Sequence, residues 1–264
     1  MEIKKLLQRI DEYKKLMDTR RPLAPQEVKS LDDYYRVGLT YTSNALEGNT
    51  LTIIETKVVI EDGITVGGKP LKCCWEAVGH AKAYDFMLQV ARAKPLVCTE
   101  EIILKLHHLF YSGLDAENAG KYRDTQVFIS GTEYVPPPAA EVSPLMAKFV
   151  AELNEKRQTL HPVLLSAFAH RKLVDIHPFV DGNGRTARLL MNLILINNGY
   201  QIVSIPPVLR NEYIGALTAT RFGNPPSDER FFKLIAQCEI ESQKDFCRMF
   251  SIEIPKRKRE EPER

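Results

Sequence analysis

The chain has 264 residues, 44% hydrophobic and 27% charged, which is enough for a full hydrophobic core in one large or two small domains. Lys and Arg number 36 against 34 Asp and Glu, and the final KRKREEPER stretch carries the whole surplus of +2. The body is near neutral, which argues against a nucleic-acid partner, and no run approaches the roughly 18 apolar residues of a membrane span.

In chain order, MEIKKLLQRIDEYKKLM predicts an amphipathic helix over 2–19, with no apolar centre of the kind a signal peptide needs. A second helix, 25–46, carries an apolar stripe through Leu31, Tyr34, Tyr35, Leu39 and Tyr41 and ends on SNALEGNT. Gly48 and Asn49 suit a helix stop, because both tolerate the left-handed conformation. Glu47 does not suit it, since a carboxylate there meets the negative end of the helix dipole. Unless a cation elsewhere answers it, Glu47 reads as a solvated residue.

Apolar spacing predicts further helices over 52–61, 70–93, 99–112, 141–157, 161–175, 183–198, 208–222 and 228–251. GITVGGKP, 63–70, nearly spells a phosphate-binding loop, but Pro70 stands where that loop needs Ser or Thr. It reads as a Gly-rich turn with proline opening the next helix. His107, His108, His161 and His170 lack partners at metal-ligand spacing and read as structural. The five cysteines, with Cys73 and Cys74 adjacent, fit reduced thiols and a cytoplasmic location.

One segment departs from helical periodicity. DTQVFISGTEYVPPP, 124–138, has β-type residues on both sides of Ser130-Gly131-Thr132 and then three prolines, which predicts a short hairpin flap. The expected fold class is therefore all-α with one short β-hairpin.

The densest polar cluster is DIHPFVDGNGRTARLLMN, 175–192. Two glycines around Asn183 allow backbone N–H groups to converge on an anion, in front of the positive end of the following helix. Arg185 and Arg188 are three apart and share a face. Asp181 is a hard oxygen ligand of the kind that holds Mg²⁺ beside phosphates. His177 is the one side chain there suited to proton abstraction near neutral pH. Phe179 should turn the other way and anchor the loop in the core. Any one of these fragments alone is ordinary loop chemistry, but the combination within twelve residues describes a polyphosphate seat with a base.

HPFVDGNGRTAR resembles the signature of the Fic family, His-x-Phe-x-Asp-Gly-Asn-Gly-Arg-x-x-Arg, with every fixed position filled. The resemblance implies a helical bundle with a flap, and transfer of AMP from ATP to a Tyr, Thr or Ser hydroxyl of a protein. By position it makes His177 the base and Asp181 the ligand of Mg²⁺, or of Mn²⁺ in its place. Gly182, Asn183 and Gly184 would cradle the phosphates, and Arg185 and Arg188, with Thr186 and Ala187 between them, would bind the outer ones. Val127, Phe128, Ile129 and Ser130 of the flap would run beside the nucleotide and pair with the target protein. Tyr213, Ile214 and Leu217 would wall the adenine, although such a stripe is usually core.

SNALEGN also resembles the family's inhibitory motif, Ser/Thr-x-x-x-Glu-Gly/Asn, through Ser43, Glu47 and Gly48. The resemblance implies that Glu47 pairs with Arg188 and competes with a phosphate for it. The implied organisation is N-terminal helices with the inhibitory helix over 1–65, a Fic core over 66–252, and a disordered charged tail over 253–264. Partners would be ATP and a target protein, with the chain itself as one candidate target. A homodimer is open, and the resemblance brings neither nucleic acid nor membrane. Removal of AMP from a modified protein, with Glu47 orienting water, is the alternative in the same site. A nucleotide-sensing protein without useful turnover is the alternative outside catalysis.

Overall fold

The structure is a computed structural model and describes residues 2–93 and 96–255. Among them, ten α-helices pack around one of their number. These are α1 (Ile3–Asp18), α2 (Pro25–Ala45), α3 (Ile53–Lys57), α4 (Leu71–Arg92), α5 (Glu100–Tyr111), α6 (Ala139–Lys156), α7 (Pro162–Ile176), α8 (Asn183–Asn197), α9 (Arg210–Phe222) and α10 (Glu229–Met249). The expected boundaries hold to within about two residues for most of these. The expected helix over 52–61 is the exception, because it passes from α3 into a π turn, Val58–Asp62, that ends at Gly63 in the left-handed region. Its start follows local chemistry: the Thr52 hydroxyl accepts from Glu55 N–H while the Glu55 carboxylate accepts from Thr52 N–H.

The central helix is α8, which is buried nearly all round and packs against α7, α4, α5 and α2. A helix with no solvated face belongs in a core, and its polar members then need partners. Asn192 closes a pair of bonds with Val203, and Asn197 donates to the carbonyls of Ala91 and Ala93. α1 clasps α10, and Leu6, Ile10 and Leu39 share one buried cluster with Leu189 and Leu193 of α8. Ile252 and Ile254 pack on the same cluster. The charged stretch 256–264 lies outside the described residues.

The flap is corrected. Residues 124–138 form no strand, only extended chain around a turn at Ser130-Gly131, where Gly131 is left-handed. Three consecutive prolines lack the N–H groups that a ladder requires. Side chains join the two limbs in its place. Buried Arg123 donates to the carbonyls of Thr125 (3.0 Å) and Pro137 (2.5 Å), and Gln126 donates to that of Pro136 (3.1 Å). The near-P-loop resolves as expected: Pro70 precedes α4, and Lys69 turns back to the Thr50 carbonyl and to Glu55.

Candidate active site

The loop between α7 and α8 is held from below. Phe179 is fully buried and stacks on His107 at 3.7 Å between ring centroids, a burial worth roughly 2 kcal/mol. Asn183 closes the loop by exchanging two bonds with the Phe179 backbone, at 2.8 and 2.9 Å. Its side chain thus builds the loop and does not face the opening. His107 accepts from Gly120 N–H at Nδ1, which leaves the Nε2 proton to donate to the Asp181 carbonyl at 3.0 Å. Burial pushes its imidazole down to about 4, so it is a neutral support at physiological pH.

His177 ends α7 in the left-handed region (φ 51°), which is uncommon for a residue with a side chain. Its N–H still bonds Leu173, and its carbonyl accepts from Arg123 at 2.8 Å. The Nδ1 donates toward the Val174 carbonyl at 3.4 Å, so Nε2 is the basic nitrogen. Burial lowers its pKa to about 4, and Arg123 and Arg221 add to that shift. The ring is therefore neutral, and able to accept a proton, across the whole physiological range.

Asp181 keeps a half-exposed carboxylate (47%) whose Oδ1 accepts from Gly182 N–H at 2.6 Å and from Arg185 at 3.3 Å. Oδ2 has no bond among the described residues. One carboxylate beside a phosphate seat matches how Mg²⁺ is bound, with phosphates and water completing the shell. Gly182 is left-handed (φ 79°), and a Cβ there would strike the Phe110 ring at 2.9 Å. No side chain caps α8, so N–H groups of its first turn remain for an anion.

The two arginines differ in their surroundings. Arg188 is fully buried, and four contacts use its guanidinium: Ser43 Oγ (2.9 Å), the Ser43 carbonyl (2.9 Å), Tyr213 Oη (3.2 Å) and Glu47 Oε1 (2.7 Å). Burial opposes its charge, and Glu47 and Tyr213 beside it more than restore it. Glu47, 141 residues away in sequence, lies two residues past the end of α2 and is 36% exposed. Burial would raise its carboxyl pKa, but Arg188 and then Arg185 outweigh that and hold it below the usual value. A side chain at Gly184 would collide with Glu47 Oε1 and with Arg188. The glycine is what lets the two groups meet. Arg210 also donates to the Leu46 carbonyl at 2.9 Å, so the negative end of α2 meets two arginines.

Arg185 sits differently. It is 4% exposed, pairs with Glu76 at 2.8 Å, and stacks over Phe110 at 4.4 Å. It is directed at Asp181 from below. Tyr213 and Leu217 are core residues, with the Tyr213 hydroxyl shared between Arg188 and His170 (3.1 Å), whereas Ile214 is exposed. Phe128 of the flap is 78% exposed, and Ser130 is exposed beside half-buried Val127 and Ile129. Sequence reasoning missed Glu76, Asn49, Arg123 and Arg210. Only Glu76 carried a signal, as a lone acid on the buried face of α4 among Cys73, Ala77 and His80.

Residues 97–195 match the Fic/DOC family. The chain thus carries a Fic domain over these residues. It is 39% identical over 199 residues to the protein adenylyltransferase Fic of Drosophila grimshawi and 38% identical to that of Drosophila yakuba, in each case over 75% of this chain. It spans about 40% of the length of these curated relatives. The fold is similar to that of Fic-1 from C. elegans, with a TM-score of 0.84 at 29% identity, covering 94% of this chain and 73% of that one. It is also similar to a Fic domain containing signaling protein from Bacteroides thetaiotaomicron, with a TM-score of 0.82 at 27% identity, covering 94% and 100%. Among the described residues no helix is long and apolar enough to cross a membrane.

Proposed function

We propose that this chain transfers AMP from ATP to a hydroxyl of a protein, and that it rests in a self-inhibited state in which Glu47 occupies Arg188. The observation that carries the reading is the 2.7 Å ion pair between the inhibitory turn and the last arginine of a complete signature. The names of the curated relatives supply the reaction class.

The residues divide the work as follows. Neutral His177 takes the proton of the target hydroxyl at Nε2 while that oxygen attacks the α-phosphorus. The bond from the α-phosphorus to the oxygen bridging the β-phosphorus breaks, and pyrophosphate leaves with the electron pair. Positioning and charge neutralisation supply most of such a rate. The first turn of α8 offers N–H groups to the phosphates, and Arg188, once free, offers its guanidinium. Mg²⁺ or Mn²⁺ bound at Asp181 would neutralise charge on the phosphates.

Glu47 opposes this by charge, because a phosphate and a carboxylate want the same donors. A charge-assisted pair costing the productive pose about 3 kcal/mol would suppress it about a hundredfold. The exposed flap, with Phe128 two residues before its turn, would engage the target protein, and the chain itself is one candidate. The five free, buried cysteines fit a reducing compartment such as the cytoplasm. Removal of AMP in the same site is the second reading, favoured by Glu47 Oε2, which carries no bond among the described residues and could orient a water.

The test is transfer of label. Label from α-labelled ATP should enter protein, and label from γ-labelled ATP should not. The opposite pattern would mean phosphoryl transfer and would reject the proposal.

A further inference from the structure

Beneath the phosphate seat a line of polar contacts runs from the inhibitory turn to the candidate metal ligand. Asn49, two residues after Glu47, donates through Nδ2 to Glu76 Oε2 at 2.9 Å and to the Cys73 carbonyl at 3.0 Å. Its Oδ1 accepts from Leu51 N–H at 2.9 Å, so both ends of the amide are used. Glu76, 6% exposed, accepts from Arg185 at 2.8 Å through its other oxygen. Lys72, one turn back on α4, stands 3.9 Å from that oxygen with an exposed side chain. Arg185 in turn donates to Asp181 Oδ1 at 3.3 Å. Glu76 and Arg185 are buried, and Asn49 and Asp181 are half-buried, where a charge without a partner is costly and geometry is tightly held.

We infer that Asn49 and Glu76 are positioning residues for the metal ligand: through Arg185 they aim the Asp181 carboxylate, so the inhibitory turn bears on the metal site as well as on Arg188. This rests on the reading of Asp181 as the metal ligand proposed above. Glu76 neutralises Arg185, which otherwise would place an uncompensated positive charge directly behind a dication. It also holds that guanidinium under Asp181 and away from the phosphates. Asp181 Oδ1 is thereby fixed from two sides, and Oδ2 is left for the ion. Asn49 fixes the rotamer of Glu76 from the same turn that carries Glu47. Arg188 and Arg185, three apart on α8, thus have separate assignments, one toward phosphate and one toward the metal ligand.

The charge argument predicts opposite signs for two quantities. In Glu76→Gln the shape is kept but the charge is lost, so metal binding weakens while Arg185 becomes more available to nucleotide. The measurement uses the full chain carrying Glu47→Gly, with α,β-methylene ATP as the nucleotide. Mn²⁺ binding is read by electron paramagnetic resonance, and nucleotide binding in EDTA by calorimetry. We expect the Mn²⁺ half-saturation to rise about tenfold for Glu76→Gln and about threefold for Asn49→Ala, with the metal-free nucleotide Kd unchanged or tighter. Mn²⁺ curves that overlay the parent would overturn the inference. So would a parallel loss of metal and metal-free nucleotide binding, which is what general damage to the loop gives. Neither readout needs turnover or a target protein, so a failure of the proposed activity is seen separately, in the labelling experiment.

Discussion

The signature loop and the flap are joined through Arg123 and are built in opposite ways. In the loop, Phe179 and Asn183 are buried, His107 holds the Asp181 carbonyl from below, and Asn183 bonds the Phe179 backbone twice. In the flap, no ladder forms and Phe128 is 78% exposed. Chemistry needs atoms held to a fraction of an ångström, and recognition of a partner needs open backbone and side chains. Arg123 joins the two regions. Arg123 bonds the His177 carbonyl on the loop side and the Thr125 and Pro137 carbonyls on the flap side.

The largest expected effect breaks the loop's chemistry without touching its scaffold. In a Glu47→Gly background, His177→Ala should lower labelling of protein by about 10³-fold, the scale of a lost general base, with nucleotide affinity retained. Because burial holds the His177 pKa at about 4, the base is neutral at every pH above that value. Labelling should therefore stay flat as pH falls from 8 toward 5 and decline only as the imidazole gains its proton near 4. A decline centred on 6.5 would mean a solvated histidine and a different pocket. The next effect separates the regions: Arg123→Met removes three bonds to backbone carbonyls and should lower labelling about tenfold. Limited proteolysis should then cut first within 124–138. The smallest effect lies on the flap alone. Phe128→Ala should lower labelling of a target protein about threefold and leave nucleotide Kd unchanged.

The contrast also explains what was legible in the sequence. The helices were, because their stripes and stops are local: Thr52 with Glu55 starts α3, and Pro70 precedes α4. The signature loop was, because its residues lie within twelve positions. The flap's β-type residues suggested a hairpin, but Pro136 to Pro138 remove donors, and side chains of Arg123 and Gln126 tie the limbs. Asn49, Glu76 and Arg210 act across 27, 109 and 164 positions, and such meetings depend on how α2, α4, α8 and α9 pack. The surroundings of Arg185 also depend on packing. Arg185 reads as a phosphate ligand in the sequence, and in the fold it lies under Asp181, paired with Glu76.

The ion pair between Glu47 and Arg188 is the central claim, and labelling from α-labelled ATP tests it most directly, with wild type and Glu47→Gly compared at equal concentration. Removing the carboxylate should free Arg188 for phosphate and raise labelling of protein, the chain included, by about a hundredfold. Equal labelling by the two proteins, at a nucleotide concentration that saturates both, would contradict the account.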